Sequence, residues 1–109
     1  MALDVDPTAT DYPVAAVDAV IDATGEAVAN SLRHAGAGAS QVVVGQLTTD
    51  AIRVRVADDG VGFNPDRVSG DRMGIEVGIR QRIRSVPGGA VDIDSSPGNG
   101  TMVSLEWRR

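Results

Sequence analysis

The sequence contains no cysteine and no lysine, and it has one histidine among its 109 residues. Without cysteine it has no disulfide, no thiol nucleophile and no thiolate metal site, and one histidine excludes a multi-histidine zinc site. All ten basic residues are arginine. A P-loop is therefore excluded, because its lysine must reach the nucleotide phosphates. Any phosphate chemistry in this chain must use another design.

Aromatic side chains and positive charge are also scarce. Aromatic residues make up 3% of the chain, and its formal net charge is −5. A nucleic-acid binder needs a basic stripe to displace counterions and aromatic rings for base stacking, so nucleic acid is not an expected partner. No apolar run approaches the ~20 residues that span a bilayer, and the first residues lack the pattern of a signal peptide. We expect a cytoplasmic location without membrane insertion.

The length and the apolar spacing predict one domain, residues 1–109, with its core in residues 14–107. Apolar residues at helical spacing predict a helix over residues 14–35, and its apolar face is formed by Val17, Val20, Ile21, Val28, Leu32 and Ala35. A second helix is expected over residues 74–86, burying Ile75, Ile79, Ile83 and Val86, and a glycine-rich loop is expected at 58–74. Alternating and apolar runs predict strands at 3–5, 40–47, 51–58, 90–96 and 101–107. This order predicts an α/β, two-layer sandwich with both helices on one face of a mixed, mostly antiparallel sheet.

The segment EAVANSLRHA, within the first predicted helix, sets Glu26, Asn30 and His34 four residues apart, with Arg33 beside the last. At 100° per residue, Glu26 and Asn30 each lie about 200° from Val28, the centre of the predicted apolar face. Helix geometry alone therefore predicts that these side chains face water. A functional role requires a ligand over the stripe.

Two glycine-rich stretches follow. In DDGVG, Asp58 ends a strand and can accept a hydrogen bond from a ligand amine, while Gly60 and Gly62 allow close backbone approach or a positive φ. The alternative is a plain turn, because Asp-Gly is a common turn dipeptide. The later stretch SSPGNGT, with Gly100 and Thr101, taken alone predicts a hairpin turn.

The order of these stretches is more specific than any of them. The chain carries, in this order, helical E-x-x-x-N-x-x-R-H, a hairpin, D-x-G-x-G, a glycine-rich segment, a helix and G-x-G-T. This arrangement resembles the nucleotide-binding domain shared by gyrase, the heat-shock-90 chaperones, histidine kinases and MutL. This is the Bergerat fold of the GHKL ATPases. Within it, residues 14–107 most resemble the catalytic, ATP-binding domain of a bacterial sensor histidine kinase. The resemblance implies an ATP lid at residues 63–73.

The resemblance implies two cofactors, ATP and Mg²⁺. Asn30 matches the asparagine that coordinates Mg²⁺, and Glu26 matches the acidic residue that acts as general base or orients the nucleophile. Arg33 matches a basic position that touches phosphate. His34 would flank the nucleotide from the helix end.

The same comparison implies an adenine site. Asp58 matches the aspartate that accepts from the adenine amine, and Gly60 and Gly62 would let the backbone pass close to the base. The positions behind the adenine are matched by Gly100 and Thr101. The glycine box after the lid departs from the usual G-x-G-L pattern, because Gly74 is followed only by the distant Gly78.

The implied function is transfer of the γ-phosphoryl group of ATP to a histidine. His34 already belongs to the nucleotide helix, so the acceptor would lie on a separate dimerisation domain of the same kinase, which would serve a cognate response regulator indirectly. One alternative is a serine/threonine kinase of the anti-sigma-factor type, which resembles this domain in the same two motifs. The other is a non-catalytic nucleotide-binding regulatory module, which the irregular second glycine box favours.

Overall fold

The protein is built from one mixed sheet, and its two helices pack on one face of that sheet. The structure is a computed structural model that describes residues 1–7, 9, 11–64 and 70–109, without the side chains of 70–76. Its elements are β1 (Ala2–Val5), α1 (Val14–His34), β2 (Gln41–Leu47), β3 (Ala51–Asp58), α2 (Gly70–Arg84), β4 (Gly89–Ser95) and β5 (Thr101–Arg108). The predicted α/β sandwich is confirmed. Among these residues no helix is long and apolar enough to cross a membrane.

The sheet has the strand order β1-β2-β3-β5-β4 within the described chain. β1 runs parallel to β2, and the other neighbouring pairs are antiparallel, as the sequence predicts for the β2–β3 hairpin. In the β3–β5 pair, Asp58 lies directly opposite Thr101. The register therefore brings the D-x-G-x-G and G-x-G-T stretches to the same end of two central strands.

The core lies between the helices and the sheet. The second helix contributes Ile79 and Ile83, which are 1% and 0% exposed, and β5 contributes Val103, Leu105 and Trp107. The alternation in β5 follows from the pleat, which sends successive side chains to opposite faces. The predicted burial of Ile79 and Ile83 is thus confirmed, while Val86 packs against the core only partly buried. The side chain of Ile75, also predicted to be buried, lies outside the described residues.

The start of α2 differs from the prediction. The helix begins at Gly70 rather than at residue 74, so the connection after β3 is shorter than the predicted loop. One glycine costs a helix about 1 kcal/mol, which tertiary packing of the kind made by Ile79 and Ile83 offsets. Of the predicted lid, residues 65–69 lie outside the described residues.

The buried face of α1 also differs from the prediction. Ile21 and Leu32, predicted to be buried, are 61% and 68% exposed, and Val28 only borders the core. The buried positions are mostly small: Ala16, Ala19, Val20, Ala23, Ala27 and Ser31. A helix with small side chains packs closely on its neighbours. The prediction of an apolar face centred on Val28 was therefore wrong, because the spacing of apolar residues does not show how closely a helix approaches its neighbours.

Candidate functional site

The candidate site is built on the flank of α1 and on the ends of β3 and β5. The buried stripe of α1 is centred near Ala27, so Glu26 lies about 100° from its centre and Asn30 about 60°. Glu26, Asn30 and His34 are all half-buried. The prediction that helix geometry turns this stripe to water was therefore wrong. The stripe instead borders the core on the side where α1 meets α2.

Asp58 occupies a fixed position at the end of β3. Its Oδ2 accepts a hydrogen bond from Ser31 Oγ at 2.7 Å, and its Oδ1 accepts one from Gly60 N at 3.0 Å. An ionised carboxylate accepts hydrogen bonds only, at about four lone-pair positions. With two protein donors bound, Asp58 retains acceptor capacity for a ligand. Its chemistry fits a ligand that presents an N–H.

Three glycines allow close backbone contacts around the end of β3, and one of these contacts is with Asp58 itself. A Cβ on Gly60 would lie 2.3 Å from the carbonyl oxygen of Ala35, at the end of α1. Gly100 has φ +71°, and a Cβ there would lie 2.1 Å from the carbonyl oxygen of Asp58 itself. Gly62 has φ +63°, and its Cβ would lie 2.1 Å from Ser96 O. These positions therefore accept only glycine without movement of the backbone.

A serine hydroxyl connects the segment after β3 to the last hairpin. Ser95 Oγ accepts a hydrogen bond from Phe63 N at 2.9 Å and donates to Gly100 O at 2.8 Å. It also lies 2.9 Å from Thr101 Oγ1. A cavity of about 260 Å³ opens at this end of the sheet, lined by Asp58, Ser95 and Thr101 together with the alternate strand positions Ala57, Asp94 and Met102. The structure thus brings five predicted residues together in one group, the Asp58 cluster: Asp58, Gly60, Gly62, Gly100 and Thr101.

Within the described part of the chain, Asn30 presents a buried acceptor without a protein donor. Among the described residues its Oδ1 has no hydrogen-bond partner, although the atom is buried. A buried polar atom left without a partner costs about 1–3 kcal/mol. This atom therefore has the character of a group that is completed by a ligand.

The chemistry at Asn30 fits Mg²⁺. Within the described residues, no group of three or more histidine, cysteine, aspartate or glutamate side chains could hold a metal by itself. Mg²⁺ usually keeps several waters and takes one or two protein oxygens together with substrate phosphates. A neutral amide oxygen of the Asn30 type suits that mode, with the nucleotide supplying the negative charge.

Glu26 is held by the second helix. Arg82 Nη2 lies 3.3 Å from Glu26 Oε1, and both side chains are partly exposed. Arg82 Nη1 also donates to Gly78 O at 3.2 Å, one helical turn earlier. The contact ties α1 to α2 one turn from Asn30. It fixes where the Glu26 carboxylate points.

The remaining predicted residues are Arg33, His34 and Gly74. Arg33 is exposed and His34 half-buried in the last turn of α1. Basic groups there also interact favourably with the negative end of the helix dipole. Gly74 lies inside α2, where the surrounding side chains are outside the described residues.

Sequence reasoning missed three residues of the site: Ser31, Arg82 and Ser95. Ser31 had a signal, because it stands four residues after Ala27 and four before Ala35, in a stripe of alanines. A lone hydroxyl on a buried helix face requires a hydrogen-bond partner. Arg82 and Ser95 gave no such signal, since their roles arise from contacts between distant segments.

The fold and the motifs that it carries are those of a nucleotide-binding module without a P-loop. The family model described as "Histidine kinase-, DNA gyrase B-, and HSP90-like ATPase" matches residues 16–109. The chain belongs to this family.

Two curated relatives are similar to the chain. An uncharacterized sensor-like histidine kinase of Chloroflexus aurantiacus is 38% identical over 84 residues, which cover 73% of this chain and 14% of that protein. The sensor histidine kinase LiaS of Bacillus subtilis is 30% identical over 81 residues, covering 74% and 22%. The chain therefore spans less than a quarter of either relative.

Solved structures share the fold. The histidine kinase domain of the Erythrobacter litoralis EL346 blue-light activated histidine kinase matches with a TM-score of 0.66 at 24% identity, over 98% of this chain and 50% of that one. The catalytic domain of histidine kinase ThkA matches with a TM-score of 0.69 at 18% identity, over 98% and 76%. At these identities the likeness supports the fold alone.

Proposed function

We propose that this chain is the ATP-binding catalytic domain of a sensor histidine kinase, with residues 1–109 acting as one domain. The family match and the two kinase relatives support the proposal. The observation that carries it is the Asp58 carboxylate, which two protein donors hold as an acceptor at the end of β3. In this proposal it accepts a hydrogen bond from the 6-amino group of adenine.

In the proposed site, one group of residues binds the base of the nucleotide and another binds its phosphates. Gly60, Gly62 and Gly100 admit the base close to the backbone, and Thr101 lies behind it. Asn30 holds Mg²⁺, which neutralises charge on the phosphates when bound. In this proposal Arg33 touches the phosphates, and His34 flanks the nucleotide from the end of α1. Backbone amides of a lid at residues 63–73, followed by Gly74, help to hold the phosphates.

The proposed reaction is phosphoryl transfer, in which positioning and charge stabilisation provide most of the catalysis. A histidine nitrogen bonds to the γ-phosphorus, the bond from that phosphorus to the β–γ bridging oxygen breaks, and ADP leaves. Glu26, held by Arg82, orients the acceptor ring or accepts its proton. His34 is the one histidine of the chain. We therefore place the acceptor on a separate dimerisation domain, which then serves a response regulator in the cytoplasm.

The test is a calorimetric titration of the chain with Mg-ATP, Mg-ADP and Mg-GTP, repeated for Asp58→Asn. A hydrogen bond to a charged group is worth about 1.5–3 kcal/mol, so we expect Asp58→Asn to weaken ATP binding roughly 10- to 100-fold. Asp92→Asn is the matched control, because it removes the same charge from an exposed position on β4. Equal ATP affinity in Asp58→Asn and wild type, or no nucleotide binding by the wild type, would contradict the proposal.

The acceptor is tested by adding candidate dimerisation domains and labelled ATP. Label on histidine is acid-labile, and we expect this outcome. Acid-stable label on a serine of a partner protein would instead favour the anti-sigma-factor type of kinase. Nucleotide binding without transfer to any acceptor would favour a regulatory module.

A further inference from the structure

Ser31 has an unusual place in α1. It is 5% exposed and is the one buried polar side chain among the described residues. Its neighbours on the buried stripe, Ala27 and Ala35, are alanines one turn away on either side, both also buried. An alanine would fill this position without a polar cost. The hydroxyl therefore needs an explanation other than packing.

The hydroxyl has a single defined partner. Ser31 Oγ lies 2.7 Å from Asp58 Oδ2, across 27 residues of chain. Because a carboxylate only accepts, the proton of this bond comes from Ser31. Such a bond to a charged acceptor is stronger than one between neutral groups. It places one Asp58 oxygen relative to α1, the helix that also carries Asn30.

Two bonds from different elements fix the plane of the carboxylate. Ser31 holds Oδ2 from the helix, and Gly60 N holds Oδ1 from the loop after β3 at 3.0 Å. Without the hydroxyl, Asp58 is held at one oxygen only and can rotate about its terminal torsion, which is broad for aspartate. The direction of its remaining lone pairs is then no longer defined.

We propose that Ser31 is a positioning residue for purine selection: its hydroxyl fixes the Asp58 carboxylate so that the site takes a 6-aminopurine and rejects a 6-oxopurine. This rests on the proposed function, because it assumes that the base contacts Asp58. A 6-amino group donates to the fixed oxygen. A 6-oxo group places an acceptor against an acceptor, and an Asp58 that can rotate away avoids this contact.

The proposal predicts coupling between the Ser31 hydroxyl and the 6-amino group of the ligand. The experiment measures Kd for Mg-ATP, for Mg-GTP and for the Mg complex of purine riboside triphosphate, which lacks any 6-substituent, in wild type and Ser31→Ala. For the wild type we expect ATP to bind at least tenfold more tightly than either analogue. Two ratios are compared: the Kd for GTP over that for ATP, and the Kd for purine riboside triphosphate over that for ATP. In Ser31→Ala we expect both ratios to shrink at least threefold, mainly through weaker ATP binding.

Two further variants separate positioning from general damage. Thr24→Val is the matched control, because Thr24 Oγ1 donates to Val20 O at 2.7 Å on the same helix and does not touch Asp58. Its ratios should equal those of the wild type. Ser31→Cys retains a small side chain with a weak S–H donor, and its ratios should fall between wild type and Ser31→Ala.

The outcomes distinguish the two proposals. If the wild type binds the three nucleotides equally or binds none, the proposed function fails and this inference fails with it. If the wild type discriminates and Ser31→Ala weakens all three nucleotides by the same factor, the function stands and the positioning role is refuted. The hydroxyl would then be structural.

Discussion

Replacing Gly60 by alanine should destabilise the protein, while the same change at Gly25 should stabilise it. A Cβ at Gly60 would lie 2.3 Å from Ala35 O and 2.5 Å from Ala35 Cβ, whereas a Cβ at Gly25 meets nothing within 4 Å. At Gly60 the loop must therefore move away from the end of α1. Gly25 is exposed within the helix, where alanine is the better helix former.

The magnitudes follow from these contacts. Overpacking costs about 1–3 kcal/mol, and movement of the loop breaks the 3.0 Å hydrogen bond from Val61 N to Ala35 O, worth about 0.5–1.5 kcal/mol. We therefore expect Gly60→Ala to lower the free energy of unfolding by about 2–4 kcal/mol. Gly25→Ala should raise it by about 1 kcal/mol.

Urea denaturation of both variants and wild type measures these changes, with the slope of the transition as a check that unfolding stays two-state. Gly60→Ala should also weaken ATP binding, because the same loop supplies the amide that binds Asp58. Midpoints of Gly60→Ala and wild type that agree within error would refute the close packing of this loop on α1. A destabilised Gly25→Ala would refute the description of that position as open.

Two further predictions concern α2. Ile83→Ala, at a fully buried position, should cost about 2–5 kcal/mol of unfolding free energy in urea, whereas Ile21→Ala, at an exposed position, should cost far less. Equal losses would contradict the core assignment. Arg82→Gln breaks a partly exposed ion pair with Glu26, so its stability should change by less than about 1 kcal/mol. The rate of phosphoryl transfer to a supplied acceptor domain should nevertheless fall several-fold at unchanged ATP affinity. Arg84→Gln, on the same helix, is the control, and weaker ATP binding in Arg82→Gln alone would contradict this role for Arg82.

Much of the fold could be predicted from local pattern. The alternation of Ile52, Val54 and Val56 against Arg53 and Arg55 predicted β3, and the register then followed from the short β2–β3 turn. The order of the elements sufficed for the sandwich. These features depend on residues close in sequence, where periodicity is informative.

The contacts of α1 could not be predicted in the same way. Hydrophobicity ranks Ile21 and Leu32 above Ala23 and Ala27, yet the alanines are buried and the larger residues exposed. The reason is the close approach of the helix to the sheet, which depends on the whole fold. The Arg82–Glu26 and Ser31–Asp58 contacts join segments that are distant in sequence, so local pattern does not give the partner of either residue.

The alanine stripe of α1 has a consequence for the evolution of the site. The side chain of Ala27 packs in the core and is 2% exposed. A larger side chain at this position would push α1 away from the sheet. That displacement would carry Asn30 and Ser31 away from Asp58, although Ala27 itself touches no ligand in the proposed site. The distance between the proposed metal-binding and base-binding groups is therefore set by side-chain volume in the core. Selection for nucleotide binding should then act on the size of residues that are remote from the nucleotide.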